Sequence, residues 1–132
     1  MPVSYTYNAA RHTLDCVASG VVVISDVVAY FDAAGVDDDV AHGAIEVVYL
    51  DAVTDFRFSY QESRVIRDRV SELRKKKGVR ATVLVAGTDA QYGMARMIGT
   101  QDSLADPEFP VRIIREEAEL PATLEALAGG TS

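Results

Sequence analysis

Two short runs of almost unbroken apolar, largely β-branched residues flank a long amphipathic stretch: residues 44–50, Ala-Ile-Glu-Val-Val-Tyr-Leu, and residues 81–86, Ala-Thr-Val-Leu-Val-Ala. A strand without polar alternation has no face to give to solvent, so each run must be covered on both sides, as a central strand is. The segment between them is too long for a hairpin and carries a helical period. Strands joined through a helix run parallel with a right-handed crossover, and this sets the class as α/β or mixed α+β, with helices packed over the sheet.

The connecting helix is the best-signalled element. Ser59 and Glu62 have the S-x-x-E spacing of a capping box, Val65, Ile66, Val70 and Leu73 share an inward face, and Lys75, Lys76 and Lys77 crowd the last turn before Gly78. Upstream, residues 3–7 alternate apolar and polar, and after the turn-prone Asn8-Ala9-Ala10, residues 12–18 put Leu14, Cys16 and Ala18 on one side, a β-hairpin pattern. Ser25 reads as an N-cap, followed by Asp26 in the first turn. Val27, Tyr30, Phe31 and Ala34 then fall at helical spacing, with Gly35 as the stop. Asp37-Asp38-Asp39 is a solvated acidic loop, because it lacks the interleaved glycine and distant glutamate of a calcium loop.

Residues 51–58 lead out of the first buried strand. Beyond the second, Gly87-Thr88-Asp89 starts a helix through Tyr92, Ala95, Met97 and Ile98 toward Leu104, and Pro107 and Pro110 mark a loop. Residues 111–114 make a last strand. Leu120, Leu124 and Leu127 line a terminal helix that tolerates Pro121 only in its first turn, and Gly129-Gly130 ends it. The expected order is β-β-α-β-α-β-α-β-α, with a mostly parallel or mixed sheet of four to five strands. At 132 residues the chain has the size of one domain, 1–132, with an ordered core over residues 3–128.

Composition excludes several function classes. Thirteen basic against twenty acidic residues leave a net charge of −7, the wrong sign for non-specific attraction to nucleic acid or anionic lipid. The lone Cys16 can form neither an internal disulfide nor a multi-thiolate metal site, and its neighbours mark it as a buried small hydrophobe. There is no signal-peptide pattern and no run long enough to span a membrane, so a cytoplasmic location is expected. His12 and His42 are the only histidines and form no H-x-x-x-H pair; no metal and no cofactor is expected. The Gly87-Thr88-Asp89 turn lacks the glycine spacing of a phosphate loop, and Asp89 would repel an anion there. Asp51 with Asp55 is too ordinary in so acidic a chain to count as an acid/base pair. No enzyme chemistry is expected.

The order and spacing of these parts resemble a STAS-type domain, the fold of bacterial anti-sigma-factor antagonists such as the SpoIIAA-like proteins, and within it the STAS or Sec14-like branch. The resemblance is carried by the opening hairpin, the helix after Ser25, the strand ending Tyr49-Leu50-Asp51 with Val53-Thr54 behind it, Val83-Leu84-Val85-Ala86, and Gly93-Met94-Ala95-Arg96-Met97. It implies a regulatory, protein-binding role. In phosphoregulated members a serine in an Asp-Ser-Ser-Gly motif at the helix following the central strand is phosphorylated by a partner kinase. With Val53-Thr54 set against that family's Val-Thr, Ser59 lands on the second serine, while Phe58, Tyr60 and Gln61 depart from the motif.

Ser59 is therefore a candidate phospho-acceptor or simply a helix cap, and Phe56, Arg57, Phe58, Tyr60 and Glu62 form a candidate contact surface for an unknown protein partner or a second copy of the chain. Alternation through Phe56, Phe58 and Tyr60 puts three rings on one side of an extended segment, as core, dimer seal or lining of a small apolar pocket. With the Sec14-like side of the resemblance, this sets the alternative function: a carrier or sensor of a small apolar or lipidic ligand. Tyr92, Met94 and Met97 add sulfur and a ring on the third helix. Residues 62–80 also hold eight basic residues (Arg64, Arg67, Arg69, Arg74, Lys75, Lys76, Lys77, Arg80) against Glu62, Asp68 and Glu72, either a docking edge for an acidic surface or a solvated helix face.

Overall fold

The computed structural model describes residues 2–129. Met1 and Gly130, the latter the second residue of the expected stop, lie outside the described residues. The elements follow the expected order: β1 (Val3–Asn8), β2 (Thr13–Val22), α1 (Ile24–Val36), β3 (Ile45–Phe56), α2 (Tyr60–Lys77), β4 (Ala81–Val85), α3 (Asp89–Ala105), β5 (Val111–Ile114) and α4 (Leu120–Gly129), with a single 3-10 turn at Glu117–Glu119 before α4.

The sheet has five strands in the order β1-β2-β3-β4-β5. β1 and β2 are antiparallel, Val3 opposite Ala18, and every later neighbour is parallel. Right-handed crossovers that always step the same way along a sheet return on the same face. Accordingly Tyr30 and Phe31 of α1, Ile66 and Val70 of α2 and Ala95 of α3 share one core with Leu14, Cys16, Leu50 and Leu84 of the sheet. On the other face Ile45, Val47, Ala81, Val83, Val85 and Ile114 meet Leu120 and Leu127 of α4. That two-sided cover is what the unbroken apolar runs demanded. Alternation along β3 sends Ile45 and Val47 toward α4 and Glu46, Val48 and Leu50 toward the three helices.

Three local expectations are corrected. Ser25 is not the N-cap of α1: that position is Val23, whose backbone N–H donates to the Asp26 carboxylate at 3.0 Å, so the acidic first turn supplies the cap. Gly35 does not stop the helix; it is buried within it, where a Cβ would meet the Lys76 side chain at 3.3 Å, and the helix ends at Asp37. The first buried strand does not end at residue 50. It runs to Phe56 because β2 continues beside it to Val22 through two register shifts, with Gly20 in the left-handed region at φ +65°. Pro121 does sit in the first turn of α4.

Candidate functional site

The paired ends of β2 and β3 reach well past the end of β4, and the candidate contact segment emerges from that arm. Phe56 is the last residue of β3, opposite Val22, and the Arg57 N–H adds one further bond to the Val22 carbonyl at 2.8 Å. Three residues later α2 begins. Ser59 is its N-cap: the hydroxyl accepts from the Glu62 N–H at 3.0 Å, and the Ser59 N–H donates to the Glu62 carboxylate at 3.0 Å, closing the box expected from S-x-x-E. Ser59 and Glu62 are both exposed.

Phe56 and Phe58 come together, ring centroids 5.6 Å apart and nearly perpendicular, half-buried against the main core. Tyr60 does not join them. The extended alternation stops at Ser59, so Tyr60 enters the first helical turn and stands 57% exposed, which corrects the expectation of three rings in a row. Arg57 Nε donates to the Asp55 carboxylate at 3.0 Å, an exposed pair of small energetic weight.

Behind the two phenylalanines lies a cavity of about 50 Å³ between the sheet and the three helices, walled by Val22, Tyr30, Leu50, Ile66 and Ile98 among others. Drug-sized ligands occupy roughly 300–1,000 Å³, so this space suits an occupant of a few atoms unless the phenylalanines move. Its polar end is made by two carboxyls. Glu46 of β3, 3% exposed, accepts from Tyr30 Oη at 2.6 Å and from Thr82 Oγ1 at 2.8 Å, and burial pushes its carboxyl above the ordinary glutamate range. Asp102 of α3 is 1% exposed, its Oδ1 has no hydrogen-bond partner among the described residues, and burial followed by repulsion from Glu46 raises it to about 8. The Cys16 thiol is pushed well up by burial and by Glu46, which makes it an inert core residue.

Neither carboxyl was picked out from the sequence, though a signal existed. Glu46 is the one charge inside the otherwise apolar run 44–50, and Asp102 follows Ala95 and Ile98 on the inward face of α3 at i+7 and i+4.

A second, open cleft of about 330 Å³ lies between the end of β3 and the start of α3, lined by Val53, Thr54, Thr88, Gln91 and Met94 among others. Its Gln91 amide and the neighbouring turn are already engaged. Gln91 Nε2 donates to the Asp51 and Val53 carbonyls at 3.0 and 3.2 Å, and the Gly87 N–H donates to the Asp51 carboxylate at 2.7 Å. Arg115 closes the turn by donating to the Gly87 carbonyl at 2.9 Å and to Asp89 at 2.8 Å, so an incoming anion finds this strand-to-helix turn filled by the chain's own groups.

The basic stretch of α2 is largely tied inward. Arg67 donates to Gln101 at 3.0 Å, Arg69 to Asp32 at 2.6 Å and Lys77 to the Asp37 carbonyl at 2.6 Å, while Arg74 lies 3.8 Å from Asp106 and stacks over Phe109. Among the described residues no group of three or more His, Cys, Asp or Glu is arranged to hold a metal ion, and no helix is long and apolar enough to cross a membrane.

Compared with known proteins, the chain matches no family model and no curated protein. Among solved structures it is similar to an uncharacterized protein of the DUF3478 family with a SpoIIAA-like fold from Shewanella loihica PV-4. The match covers 92% of this chain and 91% of that one, with a TM-score of 0.53 and 9% identity. The fold is therefore SpoIIAA-like, the STAS-type fold that the order of elements resembled, and at such low identity the likeness concerns fold alone.

Proposed function

We propose that the chain is a regulatory interaction module, not a catalyst, and that it docks a protein partner or a second copy of itself through Phe56, Arg57, Phe58, Tyr60 and Glu62. The observation that carries this reading is Tyr60, a large aromatic side chain 57% exposed at a helix start, beside a phenylalanine pair anchored in the core. Aromatic side chains on a firm base with a charged rim, here Arg57 and Glu62, are the usual makings of an interface hot spot. Its setting is the cytoplasm, in keeping with the single buried thiol.

Ser59 supplies the control. A phosphate on its exposed hydroxyl adds about −1.5 to −2 charges at a helix N-terminus. It lies against the Glu62 carboxylate that now bonds the Ser59 N–H and two residues from Arg57, which would turn from Asp55 to the phosphate. The centre of the surface then becomes strongly negative.

A native mass spectrum of the protein from its own cells tests this, run beside Tyr60→Ala and Ser59→Ala. A dimer or protein adduct that Tyr60→Ala removes supports the docking reading; an unchanged spectrum for that variant, or a bare monomer throughout, overturns it. A phosphate mass absent only from Ser59→Ala supports the control by phosphate, and an unphosphorylated wild type with the adduct intact removes it. The cavity behind Phe56 and Phe58 favours a second reading, a carrier or sensor of a small apolar ligand, and a non-covalent small-molecule adduct in the same spectrum would favour it over docking.

A further inference from the structure

Glu46 and Asp102 come from different elements, β3 and α3, yet line one cavity together. Glu46 is held from two sides, by Tyr30 of α1 and Thr82 of β4. Asp102 is not held at Oδ1. It lies in the last turn of α3, where the helix carbonyls point and a negative charge is disfavoured. The Arg74 guanidinium of α2 offsets it only in part: its Nη2 donates to the Asp102 backbone carbonyl at 3.5 Å, its Nη1 faces Asp106 at 3.8 Å, its buried Nε has no hydrogen-bond partner among the described residues, and its charge pulls the Asp102 carboxyl down less than burial and Glu46 push it up. From the remaining packed elements, β2 presents the neutral Cys16 thiol, and Arg67 of α2 donates through Nη2 to Gln101, its buried Nε without a partner among the described residues. Two carboxylates cannot both ionise cheaply in such a space.

We propose that Glu46 and Asp102 act as a proton lock, in which a proton held on the Asp102 carboxyl keeps α3 seated on the sheet and its loss to solvent frees α3 and opens the cavity. The raising of Asp102 to about 8, by burial first and Glu46 second, sets the range in which the lock works. In the seated state Asp102 keeps its proton up to that pH; in the opened state it faces water and loses it near the ordinary aspartate value. Between the two values the opened state binds fewer protons, so opening becomes more favourable as pH rises, by about tenfold per pH unit, and levels off above about 8.

Native-state amide exchange, expressed as protection factors from about pH 6 to 9, reads this directly. Protection of the α3 amides should fall about tenfold per pH unit and then flatten, while α1 and α2 keep theirs. Asp102→Asn should remove the slope, and Asp106→Asn, outside the cavity, should keep it. A flat wild-type profile overturns the proposal, and a fall shared equally by all helices moves the opening from α3 to the whole fold and overturns the lock. If Asp102→Asn does not fold, the carbon-13 titration of the wild-type Asp102 carboxyl decides: a midpoint near 8 supports the lock and one in the ordinary aspartate range ends it.

Discussion

Ser59 and Glu62 satisfy each other's backbone: each side chain accepts from the other's N–H at 3.0 Å, so two of the unpaired donors at the start of α2 are covered by one reciprocal pair. Ser59→Ala should lower stability by about 1 kcal/mol in urea unfolding, and Ser59→Asp should largely retain it because aspartate caps as well as serine does. A partner-binding loss in Ser59→Asp without a stability loss then reports charge at the surface, separate from the cap.

Removal of the Tyr30 hydroxyl tests the polar end of the cavity. Tyr30→Phe leaves Glu46 with Thr82 as its remaining partner in a fully buried setting. An unsatisfied buried acceptor costs about 1–3 kcal/mol. Thermal melting should show a loss in that range, and a melting temperature equal to wild type would mean that water already reaches Glu46.

Tyr5 Oη donates to the Asp37 carboxylate at 2.7 Å across the gap between β1 and the loop after α1. The bond holds Asp37 below the ordinary aspartate range, helped by the Asp39 N–H, while burial and the same bond push Tyr5 up to about 12. A lowered carboxyl contributes stability above its unfolded pKa and loses it as pH falls through the folded one. In Tyr5→Phe the Asp37 midpoint, followed by carboxyl NMR, should move up; an unmoved midpoint would assign the lowering to the Asp39 N–H and the Lys77 charge.

Two glycines should respond to alanine with opposite signs. Gly78 caps α2 at φ +62°, and an added Cβ would run into the His42 imidazole, so Gly78→Ala combines backbone strain of about 1–2 kcal/mol with that clash. Gly35 lies within α1, and the Cβ there would meet the flexible Lys76 stem at 3.3 Å. Once that stem shifts, Gly35→Ala should gain about 0.5–1 kcal/mol of helix stability. Equal losses in urea unfolding would show the Lys76 stem to be fixed.

Much of the fold was legible because it rests on local chemistry. The capping box of α2, the alternation in β2 and the two buried runs each state their own conformation, and together they order the elements. What escaped depended on neighbours distant in sequence. The extension of β3 to Phe56 is set by β2 alongside it, and the cap of α1 by an aspartate that can reach back to Val23, which makes Ser25 redundant. Tyr60 left the aromatic row because the helix begins at it, and a period of two cannot survive that boundary. Glu46 and Asp102 were invisible as a pair, since 56 positions separate them and only the crossover through α2 and β4 brings α3 back over β3.

Helix α4 comes after every residue it covers. During synthesis, a chain that has emerged only as far as β5 can already pair its strands and seat α1, α2 and α3, while Val47, Val83 and Val85 still face water on the other side. The order of translation thus leaves one face of the sheet adhesive until α4 is made, and α4 sets the moment at which that face stops being a target for chaperones and for its own neighbours.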